Sequence, residues 1–294
     1  MLKGLLIFCL VLCFAFSLVH AQAPDYSQLT SRIYNPEVDP DPDMFMGSWY
    51  ESMPRNSHGN LLERDIFVKL ESTDPIRPHT RGAVLTDIKS FSHATLYPHN
   101  STVPTILKGE QEILYVDSGK GIIKAGEKTA ELHTGVGVLI PAGLEFVMTN
   151  TENEPLTMYV IREPVIGNFT PNKEILVRDE NVLPISSSTG HWCHIYKSLF
   201  AQKDGLSIIT GMGPVWFDPM TMGQPHSHGK GSEEIWFVLE GNVEVLLGKQ
   251  TRNLKPGSAY KIPPNGTTPH SNINGTYEPM KLFWFMVTPE SKVN

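Results

Sequence analysis

The stretch Glu112-Ile-Leu-Tyr-Val-Asp-Ser-Gly119 returns 122 residues later as Glu234-Ile-Trp-Phe-Val-Leu-Glu-Gly241. The register holds around it. Gly135 and Pro141 meet Gly257 and Pro263 at the same offset, and Asn150 meets Asn272. Five anchors in register without a gap mark a duplicated unit of about 100 residues. Each copy reads as short strands. Glu234 to Leu239 is an apolar run closed by Gly241, and Asn242 to Leu247 continues after that turn. Pro256-Gly257 is a turn. Ser258 to Ile262 is a strand stopped by Pro263-Pro264, and Lys281 to Val287 is a last apolar strand. Regular short strands between turn signals predict a sandwich or barrel. No long stretch carries a helical period.

The composition agrees. Of 294 residues, 24 are Gly and 23 are Pro, a turn-rich load that suits short strands. Hydrophobic residues make up 40% and charged residues 19%, which excludes a disordered chain. A mean hydropathy of −0.17 excludes a polytopic membrane protein. The net charge of −7 lacks the basic excess of a nucleic-acid binder.

Residues 1–23 read as a secretory signal peptide. Lys3 gives the positive start, Leu5 to Val19 the apolar core, and Val19-His20-Ala21 a small-residue cleavage site. The mature chain is therefore expected to be secreted or periplasmic, with no membrane span. Cys9 and Cys13 leave with the signal, so Cys193 alone remains and no internal disulfide forms. His191-Trp192-Cys193-His194 has no second cluster at zinc-finger spacing and reads as an apolar strand start with a buried thiol. Four Asn-x-Ser/Thr triplets, at Asn100, Asn168, Asn265 and Asn274, would matter only in a eukaryotic secretory route.

The expected organisation is an ordered N-terminal arm over 24–79, a first barrel over 80–164, a linker over 165–189 and a second barrel over 190–289. The arm should pack on a barrel or on a partner subunit. Its acidic run from Glu37 to Asp43 lacks the Gly and terminal Glu of an EF-hand and reads as solvated.

The chemistry concentrates in Pro225-His226-Ser227-His228-Gly229-Lys230-Gly231-Ser232-Glu233-Glu234. Residues two apart in a strand point the same way, so His226 and His228 can aim at one point. The next strand returns Glu234, and His270 follows the turn Pro263-Pro264-Asn265-Gly266. Three imidazoles and a carboxylate suit one divalent transition metal, such as Fe, Mn, Cu, Ni or Zn. At the 122-residue offset the first copy offers Pro104, Ile106 and Met148 in place of the three histidines, and only Glu112 persists. The first barrel is therefore expected to be metal-free. His93 and His99 lie nearby but not on those offsets.

Here the sequence resembles the cupin superfamily. His226-x-His228, five residues, Glu234, six residues and Gly241 are similar to its first motif. Gly257, five residues, Pro263, then His270, three residues and Asn274 are similar to its second, with Pro-x-Gly stretched by one residue. With the repeat, the whole resembles a bicupin. The resemblance implies an all-β fold of two antiparallel β-barrels (double-stranded β-helices) in tandem. It implies a metal held by His226, His228, Glu234 and His270, and a homo-oligomer packed through sheet faces or exchanged strands.

Strand alternation selects the pocket. Met222 and Gln224 share parity with the two histidines, and Trp236 shares it with Glu234, while Ile235, Phe237 and Leu239 face away. On the last strand either Leu282, Trp284 and Met286 or their alternates face in, and Trp284 is favoured. Glu233 should be an exposed or interface residue. Lys261 is the one cation with a claim to the pocket, since Arg252 sits near a turn. A site without a clear cation disfavours a dicarboxylate substrate. The expected function is a secreted metal-dependent enzyme acting on a small organic molecule, as an oxidoreductase or dioxygenase. The alternatives are an isomerase or lyase on sugar-like substrates, or a non-catalytic binder. No residue is singled out as a catalytic acid or base.

Overall fold

The computed structural model describes residues 34–36, 38–186 and 194–292. The signal segment, Glu37, His191, Trp192, Cys193 and the end of the linker lie outside the described residues.

The architecture is all-β and almost wholly antiparallel. One large sheet runs Met46–Ser48, Ser258–Lys261, Glu233–Glu240, Met280–Val287, Ile209–Phe217, His194–Tyr196. The other runs Leu176–Asp179, Val136–Ile140, Glu110–Ser118, Leu156–Pro164, Ser90–Leu96, Leu61–Lys69, Arg55–Ser57. Each is closed by a four-stranded sheet, Thr105–Ile106 with Glu145–Thr149, Lys120–Ala125 and Lys128–His133 in the first half. Thr221–Met222, His270–Asn274, Val243–Leu247 and Gln250–Leu254 do the same in the second. The parallel exception is a short pairing of Ala83–Leu85 with Leu61–Lys69.

The anchors of the repeat have physical reasons. Gly119 and Gly241 turn the chain at φ +84 and +77, where an L-side chain is strained. A Cβ at Gly119 would also lie 2.3 Å from the Pro155 carbonyl oxygen. Gly135 and Gly257, at φ +87 and +89, donate their N–H groups to Val116 and Val238.

The two halves exchange strands within one chain. Met46–Ser48 precedes the first barrel but pairs with Ser258–Lys261 of the second. Leu176–Asp179 precedes the second barrel but pairs with Val136–Ile140 of the first. The segment 165–189, expected as a linker, thus carries a strand, and the arm joins both barrels. A strand edge is a row of unpaired N–H and C=O groups, and each half covers the other's edge. The seat is tight at Gly47, where a Cβ would meet the Ile66 carbonyl oxygen at 2.2 Å. The acidic arm is not simply solvated. Asp41 caps a short 3-10 turn over Pro42–Phe45 with Phe45 fully buried, and the Asp43 carboxylate within it accepts two hydrogen bonds from Arg252 at 2.7 and 2.9 Å.

One apolar cluster, including Leu114, Val116, Met158, Val160, Phe146 and Met148, belongs to the first half alone. A larger cluster joins the two halves through aromatic rings. Phe237 sits edge-on to Phe91 at 5.6 Å and against Tyr159 at 4.3 Å. Odd residues of Glu233–Glu240 therefore face the other half.

Two buried carboxylates lock this junction. Glu233 accepts from the backbone N–H groups of Thr86, Asp87 and Ile88, each at 2.8 Å. Glu163 accepts from those of Ser207, Ile208 and Ile209 at 2.8, 2.9 and 3.0 Å. Glu233 is an interface residue between halves, 1% exposed. Lys261 turns to the same interface, 3.8 Å from Glu233, and not to the barrel interior. Tyr260 and Ser258 occupy the other face of that strand.

Of the four Asn-x-Ser/Thr triplets, Asn274 is fully buried and its amide donates to Phe217, Asp218 and Glu278 carbonyls. Asn150 makes the matching turn in the first half, donating to Leu96 and Glu154. Asn168 is exposed.

Candidate metal centre

His226 and His270 face each other across an antiparallel bridge, exchanging both backbone hydrogen bonds. Val243–Leu247 supports His270 from the other side, pairing it with Leu247. The ligand nitrogens of His226, His228 and His270 lie within 4.8 Å of one another. Oε2 of Glu234 is 2.6 Å from Nε2 of His228 and 3.0 Å from Nε2 of His270. His226 Nδ1 donates to the Gln224 carbonyl oxygen at 2.9 Å. That bond fixes the tautomer whose Nε2 carries the lone pair, as ligating histidines require.

The chemistry of the donor set fits a cation. Oε2 of Glu234 and Nε2 of both His228 and His270 are buried and converge, yet none has a hydrogen bond of proper geometry. Buried polar atoms normally have partners, and three converging on one point form a set that could hold a cation. In the metal-free protein a proton does part of that work. Burial opposes charge on Glu234, but the two imidazoles outweigh it and hold its carboxyl well below the usual range. Burial likewise opposes charge on His228, and contact with Glu234 raises its pKa.

His226 is shifted the other way. Burial, then the charge of His270, push its pKa down to about 4. Unfolded histidine titrates near ~6.5, so the unfolded chain takes this proton first. The contribution is complete above about 6.5 and is lost as pH falls towards 4. Metal-free protein is expected to lose urea stability across that window, and His226→Gln to remove this part of the loss. Equal pH profiles for the two proteins would refute the assignment.

The wall is aromatic. Trp236 and Trp284 are cross-strand partners with ring centroids 6.3 Å apart. Trp284 Nε1 donates to Glu234 Oε1 at 2.6 Å. In the sequence His194 reads only as part of an apolar strand start, and Tyr196 is not singled out. His194 packs against Phe217 at 4.2 Å and Trp236 at 5.9 Å, and Tyr196 meets Trp284 edge-on at 5.6 Å. Their period-two spacing on a strand paired to Ile209–Phe217 was the available signal.

Met222 and Gln224 are a correction, for both are exposed. Met222 pairs with Ile273, whereas His226 pairs with His270. The summed register changes by one between them, so the intervening chain slips and parity is lost. A narrow recess beside His228 and Glu234 lies between Gly229–Ser232 and Pro263–Thr268. Gly231 N–H donates to the Pro264 carbonyl oxygen at 2.9 Å across it.

The first half holds a different constellation at the corresponding place. Phe146 pairs with Ala125 as His270 pairs with Leu247, and Thr105 pairs with Phe146 as His226 bridges His270. The structural counterparts of His226 and His270 are thus Thr105 and Phe146, not Pro104 and Met148. Leu107, two residues past Thr105, replaces Ile106 as the match for His228. Likewise Asn150 matches Asn274, not Asn272. The cause is the longer Pro263–Pro269 loop, which adds two residues before the closing strand, and a one-residue shift before Glu112. A fixed offset could not register either.

Glu112 persists, but its partners are Arg162 and His58. Arg162 Nε donates to it at 2.7 Å, and His58 Nε2 lies 3.1 Å away. Arg162 also reaches Glu63 at 2.6 Å, and Ser92, Arg55 and Ser57 complete the cluster. Arg162 stands where the second half has Met286, each opposite its glutamate. His93 instead lies between Trp49, at 4.4 Å, and Tyr159, and His99 contacts Asn153.

The sequence matches no curated protein. The cupin-domain profile matches residues 92–162 and again 215–286. Among solved structures, the chain is similar to the protein Ylba from E. coli, at 14% identity and TM-score 0.61, over 90% of this chain and 97% of that one. It is similar to a mutant oxalate decarboxylase from Bacillus subtilis, at 13% identity and TM-score 0.60, over 83% and 76% of the two chains. It is equally similar to the 7S globulin of Momordica charantia, at 13% identity and TM-score 0.60, over 83% and 84%. Likeness at such identities speaks to the fold. A profile match in each half, on two antiparallel barrels, makes the chain a member of the cupin superfamily with two barrels, a bicupin.

Proposed function

We propose that the second barrel is a metal centre, with His226, His228, Glu234 and His270 as its ligands, and that the protein is an exported metal-dependent enzyme. The favoured activity is that of an oxidoreductase or dioxygenase acting on a small, largely apolar molecule. The observation that carries this reading is the convergence of three buried donor atoms lacking hydrogen bonds, beside a third imidazole, within an aromatic wall. Among the described residues Glu234 pairs with imidazoles and with no Lys or Arg. The absence of a cation for a second carboxylate argues against a small dicarboxylate as substrate.

A bound divalent ion would supply Lewis acidity and, if redox-active, an electron-transfer route. The chain itself does the rest. Glu234 and the three imidazoles fix the ion's place, and Trp236, Trp284 and Tyr196 exclude water. His226 and His228 are half-buried, which leaves this side of the centre open to solvent.

The test is elemental analysis of protein purified without added metal, beside the His226→Ala/His228→Ala variant. About one equivalent of Fe, Cu or Mn in the wild type, lost in the variant, is expected, with oxygen uptake screened next. One equivalent of zinc or nickel redirects the reading to an isomerase or lyase. No metal in either protein refutes the enzyme reading and leaves a binding barrel.

A further inference from the structure

We propose that Trp284 is a positioning residue of this centre, its indole N–H holding one oxygen of Glu234 so that only the other is offered to the metal. This rests on the metal-centre reading above.

The geometry divides the carboxylate in two. Oε1 accepts from Trp284 Nε1 at 2.6 Å. Oε2 lies 2.6 and 3.0 Å from the imidazole nitrogens of His228 and His270. Glu234 is 3% exposed, so water does not compete for either oxygen. With Oε1 engaged, Glu234 contributes a single ligand atom. Three nitrogens and one oxygen then leave positions open on a six-coordinate ion. Partners behind a ligand set its orientation and strength in this way.

The donor is itself held. Trp236 lies opposite on the neighbouring strand, and the edge of Tyr196 packs 5.6 Å away. On the adjoining strand Gly211 presents no side chain, and a Cβ there would come within 3.5 Å of the indole.

The other barrel supplies the contrast. Glu112 is held by the Arg162 guanidinium, and Val160 stands where Trp284 would. A guanidinium neutralises its carboxylate and repels a second cation. An indole N–H orients the carboxylate and leaves its full charge for the ion. The neutral donor occurs in the barrel with three imidazoles, and the charged one in the barrel without them.

Trp284→Phe keeps a ring and removes the N–H. With Co²⁺ as the probe, its affinity is expected to fall about 10–100-fold, with a changed visible spectrum. In a Glu234→Ala background the same substitution should change affinity no further. Wild-type affinity and spectrum in Trp284→Phe would overturn the proposal, as would an equal loss in the Glu234→Ala background. Should Trp284→Phe fail to fold, the indole N–H resonance of Trp284 in labelled wild-type protein is the second readout. It is expected to move in Glu234→Ala, and no movement overturns the proposal. Co²⁺ binding that is lost in His226→Ala/His228→Ala but untouched in Trp284→Phe removes this proposal alone. No binding by the wild type removes the metal centre with it.

Discussion

Arg162→Met is expected to be among the most destabilising single substitutions in the chain, lowering the unfolding free energy by ~3–5 kcal/mol at neutral pH. Methionine is what the second barrel carries at this place, as Met286, so size and backbone are compatible. The damage is electrostatic. Glu63 and Glu112 are fully buried, and Arg162 bonds to both. Burial alone would raise the Glu63 carboxyl. The Arg162 hydrogen bond and charge, with Ser57 and Arg55, outweigh it and hold the pKa at about 2. Without the guanidinium Glu63 keeps only Arg55, Ser57 and Ser92, and Glu112 keeps only His58, too little for two buried carboxylates.

The pH dependence carries the diagnosis. A carboxylate with a depressed folded pKa contributes stability above its unfolded value, near ~4.3, and loses it as pH falls towards 2. The variant lacks the share that Arg162 supplies. The gap between wild type and Arg162→Met in urea unfolding should therefore close as pH falls from about 4.5 to 2. Adding Glu112→Leu to the variant should recover part of the neutral-pH loss. A gap below about 1 kcal/mol, or one independent of pH, would show that the cluster is not the support described here.

Glu163→Ala ranks with it. One carboxylate accepts three consecutive backbone N–H groups of the other half and the amide of Gln111 at 2.7 Å. Alanine leaves those donors buried without acceptors, at ~1–3 kcal/mol each before relaxation or water entry. A total loss of about 3 kcal/mol or more follows. Glu163→Gln keeps one carbonyl oxygen and should fall between alanine and wild type. The site lies at the junction, so hydrogen exchange should rise at Ser207, Ile208 and Ile209 before it rises in the first-barrel core around Leu114 and Val160. Uniform acceleration across both cores would instead mean that the halves unfold as one unit, and a loss under about 1 kcal/mol would mean that water replaces the carboxylate.

The duplicated motif was legible because its residues answer to local rules. Gly119 and Gly241 need a positive φ, and Glu233–Glu240 is a short, mostly apolar run buried over its first six residues, so run length and turn chemistry show in the letters. The four proposed ligands were legible for a related reason. His226 and His228 are two apart on extended chain, and the turns that return Glu234 and His270 are marked by Gly and Pro. The pocket residues were legible only where a strand stays in register. Trp236 and Trp284 are on regular strands opposite each other, whereas Met222 and Gln224 precede a slip that no residue type announces.

The sequence by itself determined the all-β class, the two copies and the residues able to hold a metal, since each depends on short-range geometry. Tertiary structure alone decided which contacts join distant segments. It sent Met46–Ser48 to the far barrel and Leu176–Asp179 back to the near one. It gave Glu112 a guanidinium and Glu234 an indole N–H, though the two glutamates open the same repeated motif. It turned Lys261 and Glu233 into the junction and matched Phe146, not Met148, to His270. The physical reason is the same in each case. A buried polar group takes whichever partner the packed chain brings within about 3 Å. Partners fifty to two hundred residues away leave no periodic trace in the sequence.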